Sequence, residues 1–386
     1  MDFADYPDHA AIRDTVTAIT RSFGSSYYSA HAEGRIATDE LWAALAKQGF
    51  VGINLPERFG GGGAGLAELA LVCEETAAQG CPMLLLLVSS AISGEVIARY
   101  GSEAQQQAWL PQLASGETRI VFAITEPDAG SNAHRLSTTA VRDGADWLLN
   151  GTKYYISGVD GAGAILVVAR TGTDPGTGHG LLSLFLVPPD APGLTAAPLP
   201  VAAALPERQF TLYFDDVRVG PGQLVGEEND GFTQVFHGLN PERITGAAIC
   251  VGIGRYALDR AAEYARGREV WGVPIGTHQG VSHPLAKAKI EVELAALMTA
   301  KAAWLHDHDQ PAGEASNMAK YAAAEAALAA VDAAIQTHGG NGLAEEYGLV
   351  PLWSVARLLR IAPVNREMIL NYVAGHSLGL PRSYGS

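Results

Sequence analysis

The chain has 386 residues, of which 48% are hydrophobic and 17% are charged, and its formal net charge is −15. This length and composition predict a well-buried globular protein and exclude a disordered one, while the acidic charge argues against a nucleic-acid-binding surface. Three cysteines without metal-ligand spacing and an acidic N-terminus, where a signal peptide is basic, predict a cytoplasmic protein with no metal site and no membrane segment.

Taken in chain order, the hydrophobic pattern changes twice. Helical spacing comes first, in residues 39–49, 66–78 and 92–100. Short β-rich runs separated by Gly, Pro and Asp follow, at 165–169, 182–187 and 210–214. Long Ala-rich helices typical of a four-helix bundle are then predicted at 244–265, 283–306 and 314–338. We therefore predict an α+β fold with three domains, which are an N-terminal helical domain (1–120), a middle β domain (121–229) and a C-terminal helical bundle (230–386).

Residues 122–132, FAITEPDAGSN, contain the first candidate site. An apolar run ends at Ile124, passes through Thr125 and turns at Gly130 and Ser131. Backbone N–H groups and small hydroxyls at the end of a strand can hydrogen-bond the polar edge of a planar ring such as a flavin. Taken alone, the same pattern fits an ordinary loop equally well.

Three further segments favour the flavin site over an ordinary loop. They are LNGTKYYISG at 149–158, YARGREVWGVPIGTHQ at 264–279 and QTHGGNG at 336–342. In the first of them, Asn150-Gly151 predicts a hairpin turn and 153–156 a strand. In this order, the four segments resemble those of the acyl-CoA dehydrogenase family of flavoproteins, and the resemblance extends to about Tyr347. It implies an acyl-CoA dehydrogenase-like fold that binds FAD.

The resemblance also implies which residues hold the cofactor. In the middle domain these are Phe122, Ile124, Thr125, Gly130, Ser131, Tyr155 and Ser157, of which Ser131 also contacts substrate. Residues implied to reach the FAD of a neighbouring subunit are Arg268, Trp271 and Gln279. Those implied to approach its ADP half are Gln336, Gly339 and Gly340. Because one cofactor is then served by two chains, a homotetramer built as a dimer of dimers is expected. Without the resemblance, strand packing would explain Tyr155 as well.

The catalytic base departs from the family pattern. The family commonly places a glutamate in a Glu-Gly-Thr motif near the C-terminus, and the matching residue here is Pro363. Proline has no N–H, so either this segment is shifted by one residue or one donor to the thioester oxygen is missing. The resemblance implies Glu242 as the replacement base, as in the isovaleryl-CoA and long-chain branches, and Arg243 as a contact to CoA. Glu367 is a weaker candidate for the base.

Pro241 offers a different explanation of Glu242, because a proline at the first helical position is commonly followed by an acidic residue that the helix dipole favours.

Three functions remain open at this level. The first is an acyl-CoA dehydrogenase of fatty acid metabolism that passes electrons to an electron-transfer flavoprotein. The second is a catalytically silent subunit of a heteromeric acyl-CoA dehydrogenase. The third is an acyl-carrier-protein dehydrogenase or a flavin oxidase on the same fold. Acyl chain length and branching are not predicted.

Overall fold

The N-terminal part of the protein is helical. The computed structural model describes residues 7–381, so the acidic N-terminal residues 1–6 and residues 382–386 lie outside it. The helices of this part are α1 (Pro7–Arg21), α2 (Gly24–Gly34), α3 (Asp39–Ala46), α4 (Leu66–Ala78), α5 (Glu95–Tyr100) and α6 (Glu103–Ala114). A π-helical segment, Leu86–Gly94, leads directly into α5. The helix predicted at 39–49 corresponds to α3, which ends earlier, at Ala46, and Gly49 adopts a left-handed conformation.

The middle part forms one eight-stranded sheet. Its strands are β1 (Ile120–Ala123), β2 (Thr139–Asp143), β3 (Asp146–Ser157), β4 (Ala164–Thr173), β5 (Gly180–Val187), β6 (Leu194–Leu199), β7 (Gln209–Val219) and β8 (Leu224–Val225). The strand order is β6-β7-β3-β2-β4-β5-β8, and β1 pairs in parallel with β4. All three predicted strand runs lie inside these strands. Alternating side chains bury two apolar layers, one on each face of the sheet.

The hairpin turn predicted at Asn150-Gly151 is wrong. Both residues lie inside β3, and the turn that joins β2 to β3 is two residues wide, with Gly144 at a positive φ. Gly151 lies beside a bulge in the β3–β7 pairing whose extra residue is in β7, and a Cβ on Gly151 would lie only 2.6 Å from Thr138. Glycine is needed there for close packing, so the Asn-Gly pair marks a bulge rather than a chain reversal.

The C-terminal part is helical again and matches the predicted bundle. Its helices are α7 (Gly231–Gly267), α8 (Gln279–Asp307), α9 (Gly313–His338), α10 (Leu349–Ile361) and α11 (Arg366–Tyr372). A short hairpin, β9 (Glu269–Val270) and β10 (Val273–Pro274), joins α7 to α8. Buried alanines on α8 and α9 let the helices approach closely. Within residues 7–381, no helix combines the length and apolar character that a membrane-spanning segment needs.

Helix α7 begins earlier than its sequence suggests. Pro241 lies inside the helix, not at its first position. The helix starts at Gly231, which packs so tightly against the backbone of Leu182 that a Cβ would lie 2.6 Å away. Val235, in the added turns, is buried against the sheet. This tertiary packing outweighs the cost of an internal proline. Glu242 is therefore not a first-turn residue, and the helix dipole does not explain it.

Candidate active site

A buried ion pair fixes the turn after β1. Lys153 on β3 is 0% exposed, and its Nζ donates to Glu126 Oε1 and to the carbonyl of Ile124, both at 2.9 Å. Glu126 also accepts from the backbone N–H groups of Ser137 and Thr138. Burial alone would raise the pKa of Glu126, but Lys153 and these donors lower it to about 2. The turn that contains Thr125, Gly130 and Ser131 is thus held by a fixed charge pair.

A bulge in β3 places an aromatic ring beside this turn. The N–H of Tyr154 donates to the carbonyl of Thr125 at 2.9 Å. Tyr155 has a φ of 59°, which is rare outside glycine, and its side chain is 56% exposed. Two residues on, Ser157 donates to Gln209 at 2.9 Å. Strand packing, the alternative explanation of Tyr155, does not account for an exposed ring at a strained position.

Glu242 lies on α7 in a partly buried position. Its Oε2 is shut off from solvent and has no hydrogen-bond partner among the described residues. Burial raises the pKa of Glu242 to about 8, although the charges of Arg243 and Lys320 act in the opposite direction. Arg243 is itself 7% exposed and donates to Asn240 Oδ1 at 2.9 Å. A carboxylate with a pKa near neutrality and an unused oxygen has the properties of a general base.

The segment around Pro363 links α9 and the β1 turn. It connects α10 to α11, and the carbonyl of Val364 accepts from Lys320 Nζ at 3.3 Å. The next side chain, Asn365, donates to Ser131 Oγ at 2.7 Å and caps the start of α11. Through these contacts the structure brings Ser131 next to the position where the family pattern predicts a base.

Two residues of this cluster were missed in the sequence. Asn365 lies where the family has the threonine of its Glu-Gly-Thr motif, and nothing in the sequence around it indicated a role in the site. Lys320, a charge inside an Ala-rich helical stretch, offered a weak one. Glu367, the weaker candidate base, has a side chain that is 74% exposed and lies near Arg366. Glu367 is therefore open to solvent, whereas Oε2 of Glu242 is not, and the apolar environment that a base needs is found at Glu242.

The remaining predicted cofactor residues form a second group at the far end of α7. Arg268 and Trp271 lie at the β9–β10 hairpin, and Gln279 begins α8. The segment that follows Gln336 is tied to the same place, because Asn341 donates to Tyr264 at 3.1 Å. The sequence segments 264–279 and 336–342 are thus brought together. No hydrogen bond or ion pair found within residues 7–381 joins this group to the turn at Ser131 of the same chain.

The two groups have open surfaces that fit a long flat cofactor. At Gly130, Gly339 and Gly340 a Cβ would meet no atom within 4 Å, and Gly339 has a φ of 61°. Open glycine backbone admits a phosphate at close range. Trp271 is 89% exposed and Tyr155 is 56% exposed, an unusual amount for aromatic side chains. Polar backbone, open glycines and exposed rings suit FAD. Among the described residues, no group of His, Cys, Asp and Glu could hold a metal ion.

Comparisons with known proteins agree with this arrangement of helical, β and helical parts. Three family models match along the chain. They are the N-terminal domain of acyl-CoA dehydrogenases at residues 6–117, the middle domain at 121–217 and the C-terminal domain at 229–378.

Individual proteins match over almost the whole chain. The acyl-CoA dehydrogenase FadE12 of Mycobacterium tuberculosis is 54% identical over 384 residues, which cover 99% of both proteins. The structure of butyryl-CoA dehydrogenase from Megasphaera elsdenii has a TM-score of 0.92 at 27% identity and covers 98% of this chain and 100% of that one. A glutaryl-CoA dehydrogenase from Mycobacterium smegmatis, in complex with FADH2, has a TM-score of 0.91 at 26% identity, with 98% and 96% covered. The chain belongs to the acyl-CoA dehydrogenase family and is an oxidoreductase of that class.

Proposed function

We propose that this protein removes hydrogen from the α and β carbons of an acyl-CoA to give the trans-2-enoyl-CoA, with Glu242 as the base. The observation that carries the proposal is the buried, unpartnered Oε2 of Glu242 in a chain that has Pro363 where the family places its glutamate. Electrons would then pass to an electron-transfer flavoprotein. Fatty acid metabolism is the setting that this reaction suggests.

FAD would be held by the residues predicted from the sequence, and when bound it supplies the acceptor for the β hydride. In the middle domain, Thr125, Gly130 and Ser131 would bind its polar edge, and Tyr155 would cover a ring face. Arg268 can grip a pyrophosphate with two parallel hydrogen bonds. Since this arginine and the Ser131 turn belong to separate groups within one chain, the proposal includes a homotetramer in which neighbouring chains complete each site.

Glu242 would take the α proton on Oε2. Its raised pKa means that the carboxylate gains basicity from burial, and that the ionised fraction grows as pH rises through about 8. Arg243, on the same helix, would bind an anionic part of CoA. Pro363 offers no N–H to the thioester oxygen, so its stabilisation falls to other donors, and slower chemistry than in relatives with Glu-Gly-Thr is expected.

The domain limits 1–120, 121–229 and 230–386 are part of this proposal. The first and third enclose the acyl chain, and the second holds the flavin ring. Three buried, unbridged cysteines are consistent with a cytoplasmic location, which we also propose.

The test is an anaerobic titration of the purified flavoprotein with short, branched and long acyl-CoAs, following the visible flavin band. The wild type should bleach with at least one of them. Glu242→Gln should slow flavin reduction by at least ~10²-fold, whereas the control Glu367→Gln should not.

Other outcomes separate the competing functions. A flavin that binds but never bleaches would favour a silent subunit or a carrier-protein substrate, and rapid oxygen consumption would mark an oxidase. Wild-type reduction by Glu242→Gln would refute the assignment of the base.

A further inference from the structure

A buried lysine on α9 holds the segment that contains Pro363. The side chain of Lys320 is 1% exposed, and its Nζ donates to the carbonyl of Val364 at 3.3 Å. That is the one hydrogen bond of this ammonium group found within residues 7–381. An ammonium group has three N–H donors, so two of them remain for another partner. Burying a charge with unused donors is costly, and a methionine would fill the same space without that cost.

Lys320 has unused hydrogen-bond donors and Glu242 has an unused acceptor oxygen, and the charges of the two groups act on each other. Burial lowers the pKa of Lys320 to about 8, and the negative charge of Glu242 opposes that shift. Burial raises the pKa of Glu242 to about 8, and the positive charge of Lys320 opposes that shift, although in the described part of the chain the two side chains form no direct ion pair. The other charged and titratable groups that act on Lys320 are Cys250 and Arg243 from α7 and Glu325 from its own helix. Lys320 and Glu242 thus interact through their charges, and Lys320 also bonds the segment that contains Pro363.

We propose that Lys320 is a positioning residue for the reaction: it fixes the carbonyl of Val364 and supplies the buried positive charge that acts on the Glu242 carboxylate. This inference rests on the function proposed above. In the family pattern the residue at position 363 would itself bring a carboxylate to the site. Here that residue is a proline, and the segment that contains it is held from α9 instead. Lys320 thus acts through Glu242 and Val364 and takes no proton from the substrate.

The test compares three variants by the pH dependence of flavin reduction in anaerobic single turnovers. Lys320→Met removes both the charge and the donor, Lys320→Gln removes the charge but keeps a donor for Val364, and Lys320→Arg keeps both. Loss of a nearby opposite charge raises a carboxyl pKa by roughly 1 unit or more. We therefore expect the half-maximal rate to move to higher pH by about that amount in the Met and Gln variants and to stay in place in the Arg variant. Lys301→Met, an exposed lysine on α8, is the control.

The outcomes distinguish the two proposals. If the Gln variant folds, binds FAD and keeps the wild-type pH profile, Lys320 has no positioning role through charge and the inference is overturned. If Lys320→Met fails to fold, the Gln and Arg variants still decide the question. If Glu242→Gln reduces its flavin at the wild-type rate, the proposed base is wrong, and that result is independent of any Lys320 variant.

Discussion

Breaking the buried Lys153–Glu126 pair should destabilise the flavin-binding turn far more than the pair as a whole stabilises it. Both side chains are at most 2% exposed. The fall in the pKa of Glu126 from 4.5 to about 2 corresponds to about 3 kcal/mol in favour of its charged form in the fold. Burial lowers the pKa of Lys153 from 10.5 to about 8, which corresponds to about 3 kcal/mol against its charged form. The attraction between the two charges thus offsets much of the cost of burying them.

Replacing one partner removes this balance. Lys153→Met leaves a buried carboxylate without its cation, so we expect a loss of about 3–5 kcal/mol in the free energy of unfolding. The double variant Lys153→Met/Glu126→Gln leaves no buried charge, and it should recover most of that loss. Flavin release during urea unfolding is the measurement, because the pair supports the turn after β1. Lys289→Met removes an exposed ion pair with Glu293 and should cost only about 0.3–0.5 kcal/mol.

The pH dependence provides a second check. The depressed pKa of Glu126 contributes stability above about pH 4.5, and this contribution is lost as pH falls toward 2. In Lys153→Met the unpaired carboxyl regains a raised pKa, so it can become neutral on mild acidification. The penalty of the variant should therefore be smaller at pH 5 than at pH 8. The reasoning would be refuted by two results together. The double variant would lose as much unfolding free energy as the single variants Lys153→Met and Glu126→Gln combined, and the penalty of Lys153→Met would be the same at pH 5 and pH 8.

Three further outcomes are expected. Gly246 lies one helical turn after Glu242, and a Cβ there would lie 3.3 Å from Leu87. Gly246→Val should therefore crowd the chain beside the proposed base and lower kcat/KM for long acyl-CoAs at least ~10-fold relative to short ones; equal losses at all lengths would contradict this. Trp271→Ala should weaken FAD retention on gel filtration without lowering the Tm of the apoprotein, because the side chain is 89% exposed. Ser131→Ala and Asn365→Ala should slow flavin reduction alike, but only Asn365→Ala, which also removes a helix cap, should cost about 1 kcal/mol of stability in urea.

Local patterns in the sequence were enough to predict the order of helical and β parts. The periodicity of 66–78 and 314–338 predicted helices that the structure has at nearly the same bounds, because alanine-rich and regularly spaced apolar residues favour helix over any other packing. The family resemblance could also be seen in the sequence, because its characteristic segments are short and contiguous, and the comparisons agree with it. Each of the four cofactor segments spans the end of a strand or helix, which are β1, β3, α7 and α9 in turn, as local turn chemistry requires.

The sequence by itself determined the order of the helical and β parts and the family of the chain. Only the tertiary structure decided how the site is assembled. Neither the bulge beside Gly151 nor the start of α7 at Gly231 is visible locally, because each depends on backbone packing against a distant element. The environment of Glu242 depends likewise on Lys320, and the link from Ser131 to Asn365 joins residues far apart in the chain. Burial and electrostatic pairing are properties of three-dimensional neighbours, so no short stretch of sequence encodes them.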